Sequence, residues 1–189
     1  MLLIREIVAS DVETIARLHA TSWQNSYRGI LLDSYLDAPI FDERLAVWHQ
    51  RLDVNPASGD IGFIALSDAS PVGFTFACIS QEARWGTFLD NLHVTPQARG
   101  QGIGKKLVGA LTQTLIAQGR GDGIYLWVFE ANHRARKFYE RLGAQAIERV
   151  VAEAPGGGQV AEWRYAWATA AYLHAAAVTQ SSQRGNNRI

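Results

Sequence analysis

The apolar and polar positions divide the chain into short segments of two periods. Leu2 to Ile7 reads as a first strand. Ser10-Asp11-Val12-Glu13 has the form of a capping box, in which Ser10 and Glu13 satisfy each other's free backbone donors. Val12, Ile15, Ala16, His19 and Trp23 then recur at helical spacing and predict a first helix. Tyr27 to Ala38 is mixed, with Gly29 and Pro39 as breakers. A second helical pattern from Asp42 carries Leu45, Trp48 and Leu52 on one face and stops before Pro56. Phe63–Leu66 and Val72–Ile79 are two apolar runs around the polar loop Ser67–Pro71, which predicts a hairpin. Thr87 to Val94 is a further strand, ended by Pro96. A glycine-rich loop, Gly100 to Gly104, leads into a helix with Leu107, Leu111 and Leu115 on its buried stripe. Ile124–Phe129 is apolar throughout, as in a strand covered on both faces. Ala135, Phe138, Tyr139 and Leu142 then mark a short helix, and Gly143 sits where a left-handed cap belongs. Ile147–Ala152 and Glu162–Trp167 read as two closing strands, and an alanine-rich helical stretch begins at Ala168. The order βααββ–βαβαββ predicts an α/β fold, a three-layer sandwich with helices on both faces of a mixed sheet.

Composition narrows the class. The 189 residues are 48% hydrophobic and 19% charged, with no net charge, and this matches one domain with a short appendage. A single cysteine, Cys78, excludes an internal disulfide framework and fits a reducing compartment. No apolar run reaches the ~18 residues of a spanning helix, and no basic segment precedes an apolar stretch at the start. A cytoplasmic protein that touches neither membrane nor nucleic acid is the expectation. The neutral total is uneven: residues 1–98 carry −6, residues 99–149 +5 and residues 150–189 +1.

The positive segment contains Arg99-Gly100-Gln101-Gly102-Ile103-Gly104-Lys105-Lys106 between a strand and a helix. Glycines let a backbone approach an anion, and the free N–H groups of a helix start point at it with the positive end of the dipole. Lysines in a first turn oppose that dipole, so an anionic ligand explains Lys105 and Lys106 better than helix stability does. The spacing fails the Walker A loop at Arg99 and Lys106, and it fails the dinucleotide fingerprint as well. Arg-x-x-Gly-x-Gly at Arg99, Gly102 and Gly104, after Leu89–Pro96, resembles the pyrophosphate signature of the GNAT superfamily of acyl-CoA-dependent N-acyltransferases. Asn132-x-x-Ala135-x-x-Phe138-Tyr139-x-x-Leu142-Gly143 is similar to that family's second motif. Ser22-Trp23, Tyr27-Arg28-Gly29 and Tyr35-Leu36-Asp37 resemble one of its branches. The resemblance covers about residues 2–167, which makes residues 1–167 the acyltransferase domain and 168–189 a helical or disordered tail.

The resemblance implies a GNAT-like αβα sandwich whose central sheet splays where the strand ending at Val94 parts from the strand ending at Phe129. Acetyl-CoA would be the co-substrate. Its pantetheine arm would bond the backbone of Leu92, His93 and Val94, and its pyrophosphate would lie on the loop from Arg99 through Gly100, Gln101, Gly102, Ile103 and Gly104 to Lys105. A backbone N–H near Leu92 would receive the oxyanion, Asn132 would fix the co-substrate or a water, and Tyr139 stands in the general-acid position. The glutamate that several members carry five residues before the asparagine is Trp127 here. Asp90, His93 and Glu130 are the remaining candidates for a base, with a water chain as the alternative to any of them. His93 alternates with Asp90 along its strand, which puts the two on opposite sides.

Trp23, Tyr27, Tyr35 and Trp85 are the aromatic residues of the substrate region; Trp23, Tyr27 and Asp90 are the substrate candidates. The acidic balance of residues 1–98 suggests a cationic acceptor, a small or peptide amine. Cys78 reads as a small core residue. The five histidines have no metal-ligand spacing, so no metal is expected. Arg134, Arg136, Lys137 and Arg141 form a solvated helix face from which one could meet the CoA 3′-phosphate. The tail is either a dimer-contact helix, giving a homodimer, or disorder. The alternative function is an acyl-CoA-binding regulatory module of the same fold without turnover, which would have no need of Tyr139.

Overall fold

The computed structural model describes residues 1–37, 40–54, 59–82 and 84–179. Its strands are β1 (Leu2–Glu6), β2 (Ile61–Ser67), β3 (Ser70–Glu82), β4 (Gly86–Val94), β5 (Ile124–Phe129), β6 (Gln145–Glu153) and β7 (Gln159–Trp167). They form one sheet in the order β1-β2-β3-β4-β5-β7-β6, antiparallel except between β4 and β5. The helices are α1 (Val12–Ser26), α2 (Asp33–Asp37), α3 (Ile40–His49), α4 (Ile103–Ala117), α5 (His133–Arg141) and α6 (Ala170–Thr179).

Alternation along the strands divides the apolar side chains between two layers. Ile64, Phe74, Phe76 and Cys78 face α1 and α3, whose Val12, Ile15 and Trp48 complete that core. Trp48 is fully buried, with its ring edge-on to Phe74 and Phe76 at 5.5 and 5.1 Å. Phe63, Ala65, Ala77, Leu89, Leu126 and Val128 face the other way, onto Leu107 and Leu111 of α4, Leu142 after α5, and Leu173 and Ala177 of α6. These are the three layers expected from the element order. A smaller cluster of Leu31, Tyr35, Leu36 and Ile40 joins α2 and α3 to Tyr27 and Phe129.

Local structure differs from the sequence reading at several points. The start of α1 is preceded by a 3-10 turn, Ala9–Asp11, and the capping acceptor is Asp11, whose carboxylate takes the Val8 N–H at 2.9 Å. Arg5 holds that carboxylate at 2.7 and 2.8 Å and keeps it below its usual range. Glu13 pairs with Arg17 one turn on instead of closing a box with Ser10. The β2–β3 hairpin turns on two residues, Asp68 and Ala69, at φ 48° and 65°, the left-handed pair that suits a tight hairpin; the strands therefore extend into the expected polar loop. The mixed stretch after Tyr27 contains α2, and Pro39 lies outside the described residues. α3 continues into a π-helical turn, Gln50–Val54. α6 packs on α4, where Thr112 Oγ1 and His174 Nδ1 are 2.9 Å apart. Residues 180–189 of the expected tail lie outside the described residues.

Candidate active site

β4 and β5 pair only at Thr87↔Ile124 and Phe88↔Tyr125. Beyond those pairs the two strands part, each held by its outer neighbour: β3 keeps β4 as far as Gly73↔Val94, and β7 keeps β5 as far as Phe129↔Glu162. The gap opens into a cleft of about 980 Å³, at the upper end of the range for small-ligand sites. Leu92, His93, Val94, Asn132, Tyr139, Trp23, Tyr27, Asp90 and the whole loop Arg99–Lys105 line it. Tyr35 and Trp85 do not. Tyr35 is buried and donates to Glu43 at 2.6 Å, and Trp85 precedes the paired end of β4, where the strands have not yet separated.

The β4 wall carries a bulge. β3 pairs Phe76 with Asn91 but Ala77 with Leu89, which leaves Asp90 unopposed. An extra residue resets the alternation, so Asp90 and His93 share the α1 side rather than facing opposite ways as unbroken alternation predicts. Hydrogen bonds join them: Asn91 Nδ2 donates to Asp90 at 2.7 Å, and His93 Nε2 donates to Asn91 Oδ1 at 3.3 Å. Asn91 Oδ1 can only accept, so His93 Nδ1 is unprotonated and takes the Ser22 hydroxyl at 2.8 Å. Burial, reinforced by Arg99 and Arg44, pushes the His93 imidazole down to about 3. His93 is thus neutral with both nitrogens engaged. Asp90 is ion-paired with Arg51 from the π-helical turn. Glu130, the third candidate base, is held by Arg149 at 2.8 Å and by the Trp163 N–H at 2.9 Å, and these hold its carboxyl down at about 2. None of the three is a free base.

At the α4 end the loop turns through Gly100 and Gly102 at φ 78° and 77°, left-handed positions that strain any side chain with a β-carbon. Gly102 is the N-cap of α4, and the first turn holds no acid. A β-carbon on Gly104 would lie 3.4 Å from the Phe138 ring, an ordinary contact, so packing against α5 does not by itself require glycine there. Arg99 donates to the Val94 carbonyl at 3.0 Å and to Ser26 at 3.1 Å. Burial and the nearby Arg134 lower its affinity for a proton. Two cations brought together in a wall, beside a helix N-terminus with no acid, suit an anion. Arg134 and Arg141 of the expected solvated face reach the cleft, whereas Arg136 folds back onto Trp163 and donates to the Tyr165 hydroxyl at 3.1 Å.

Between the two ends stands Tyr139, on α5. Its ring packs edge-on to Phe138 and Trp167 at 5.5 and 6.0 Å. Its hydroxyl has no hydrogen-bond partner among the described residues, and burial, with Tyr27 close by, raises it well above an ordinary phenol. Asn132 caps α5, its Oδ1 accepting the Ala135 N–H at 3.2 Å. Tyr27 meets Trp23 and Phe129 edge-on at 5.3 and 4.9 Å, and its phenol is pushed up to about 12 by burial and Asp90. Trp127 is stacked under Arg164 at 4.5 Å, and that guanidinium is shared by Glu82 and Glu148. Sequence reasoning missed His19, Arg44, Arg51 and Glu162, all in the cleft wall. For Glu162 alternation gives no signal, since Trp163, Tyr165 and Trp167 occupy the opposite face of β7 and Glu162 reads as the polar face. For the other three, helical spacing says only that they belong to helices. Among the described residues no group of three or more His, Cys, Asp or Glu is placed to hold a metal, and no helix is long and apolar enough to cross a membrane.

Known proteins share both the sequence and the shape. The acetyltransferase (GNAT) family matches residues 18–144. A probable N-acetyltransferase of Mycobacterium tuberculosis is 31% identical over 138 residues, 73% of this chain and 76% of its own. A spermine/spermidine N(1)-acetyltransferase of Bacillus subtilis is 38% identical over 58 residues, 31% of this chain and 38% of its own. The crystal structure of the PaiA N-acetyltransferase of Thermoplasma acidophilum in complex with coenzyme A superposes with a TM-score of 0.62 at 22% identity, covering 86% of this chain and 98% of that one. With the splayed sheet, the glycine loop and these relatives together, the chain belongs to the acetyltransferase (GNAT) family and is an acetyl-CoA-dependent acyltransferase.

Proposed function

We propose that the chain moves the acetyl group of acetyl-CoA onto a primary amine by direct attack in a ternary complex, with Tyr139 as the acid that returns a proton to the departing thiolate. The observation that carries this reading is the Tyr139 phenol, unpartnered and protonated at neutral pH where β4 and β5 part. A binding module without turnover has no use for such a donor. Loop amides from Gly100 to Lys105 would take the pyrophosphate, with Arg99 and Arg134 adding charge. The separated edges of Leu92–Val94 would take the pantetheine amides, and a backbone N–H near Leu92 the oxyanion. Asn132 would steady the co-substrate while it caps α5. Trp23 and Tyr27 would line the amine's approach. Amine acceptors are supported by the relatives, one of which is named for spermine and spermidine.

Thiol release from acetyl-CoA across polyamines, lysine and peptides with a free amino terminus tests the reading. Tyr139→Phe is expected to lower kcat by about 100-fold or more, with acetyl-CoA binding retained. An undiminished rate in that variant removes Tyr139 from the chemistry, and tight CoA binding without turnover on any amine removes the enzyme reading.

A further inference from the structure

We propose that Glu162 is the group that meets the acceptor amine: its carboxylate holds the incoming ammonium beside Phe129 and takes one of its protons before attack. The proposal rests on the acetyl-transfer reading above and assigns the group that the reading leaves open.

Register places Glu162. It pairs with Phe129, the last residue of β5, and residues paired across antiparallel strands project to the same side. Arg164, two residues on, pairs with Trp127 and stacks over its ring at 4.5 Å. Phe129 touches Tyr27. Glu162 therefore projects to the α1 side of the sheet, the side of Tyr27, and it lines the cleft. Trp127 fills the strand position where the resemblance puts a glutamate; Glu162 brings a carboxylate in from the next strand.

Its surroundings separate it from the other acids nearby. Asp90 has Arg51, Glu130 has Arg149, and Glu82 and Glu148 share Arg164. Glu162 has no hydrogen bond or ion pair among the described residues. Its neighbours Phe129 and Trp127 on β5 and Val150 on β6 are uncharged. Tyr27 stays protonated to about 12, His93 is neutral, and Arg164 on its own strand is already engaged. Burial alone raises the Glu162 carboxyl above its usual range. A half-buried carboxylate without a cation is costly unless it is protonated or a cation arrives. A primary ammonium supplies both a charge to pair with and a proton to take.

The step balances. The acceptor enters as R–NH3+, and Glu162 accepts one proton and passes it to solvent. The freed lone pair forms the N–C bond at the thioester carbonyl, and the C–S bond breaks with its electron pair going to sulfur. Tyr139 gives sulfur its proton, and the phenolate recovers one from the new amide nitrogen. One ammonium and one thioester become one amide, one thiol and one released proton.

The experiment compares the full chain with Glu162→Gln and Glu162→Asp, using spermidine, lysine and a short peptide with a free amino terminus across about pH 6 to 9.5. For an amine the parent acetylates, Glu162→Gln is expected to lower kcat/KM by about 100-fold. The acid limb of the profile is expected to move to the amine's own pKa, acetyl-CoA binding by titration calorimetry to be unchanged, and Glu162→Asp to restore part of the rate. A Glu162→Gln rate within about threefold of the parent, with the same acid limb, overturns the proposal. So does a loss that extends to acetyl-CoA binding and that Glu162→Asp does not relieve, since that marks a structural role. A parent that binds acetyl-CoA and acetylates no amine overturns the transfer reading itself, and the assignment of Glu162 with it.

Discussion

At the α4 end of the cleft one uninterrupted stretch, Arg99 to Lys106, supplies the loop amides and three cations. At the α1 end, His19, Arg44, Asp90, Trp127 and Glu162 arrive from five separate elements. A contiguous run of amides at a helix start suits an anion of fixed shape. An assembled end depends on how helices seat on the sheet, so it can change its ligand without disturbing the loop. The two ends should respond to mutation independently, one through the KM of acetyl-CoA and the other through the KM of the amine.

The largest test of that division is Gly102→Val. A β-branched residue at φ 77° costs about 1–3 kcal/mol and turns the loop amides away. The acetyl-CoA KM is expected to rise about 100-fold by initial-rate kinetics, with little change in the ranking of amines. A smaller effect, about tenfold on acetyl-CoA and eased by salt, is expected for Arg99→Ala, which removes one cation of the Arg99–Arg134 pair. Altered choice among amines at saturating acetyl-CoA in either variant would dissolve the distinction between the ends. Arg44 lies over the Trp23 ring at 4.6 Å, and Arg44→Met keeps much of that contact while removing the charge. The KM of cationic amines is expected to fall about three- to fivefold and that of acidic acceptors to rise, with acetyl-CoA unaffected. The smallest effect is on stability. The His93 imidazole stays neutral in the folded chain to about 3, while in the unfolded chain it takes a proton below about 6.5. The unfolded state then binds more protons across that window, so stability is full above it and is lost as pH falls. His93→Gln should flatten the slope of urea midpoints between about pH 6.5 and 5.

What was legible in the chain follows the same division. Arg99–Lys106 and Asn132–Gly143 are contiguous motifs, and strand and helix periods put the first at the start of α4 and the second after β5, where the structure has them. Strand alternation puts Asp90 and His93 on opposite sides because nothing in Leu89-Asp90-Asn91-Leu92 announces a bulge; it exists only in the pairing with β3. Segment charge is likewise a poor guide to what faces the cleft. Several acids of residues 1–98 pair with neighbours away from the cleft, Asp11 with Arg5 and Asp33 and Asp37 with Arg28. Among the described residues, Asp90, Arg44 and Arg51 are that segment's charged groups in the cleft wall. The acidic balance of residues 1–98 therefore gives no support to a cationic acceptor, and the uncompensated acid comes from Glu162, in a segment counted as slightly basic.

Arg51 and Asp90 meet where two elements each depart from regular geometry, a π-helical turn after α3 and a bulge in β4. Both irregularities amount to one surplus residue. Their lengths are consequently matched in this fold: losing the surplus in β4 would swing Asp90 away from a guanidinium that α3 still extends, and losing it in the turn would withdraw Arg51 from a carboxylate still facing inward. A deletion in either element alone is therefore expected to break the Arg51–Asp90 pair.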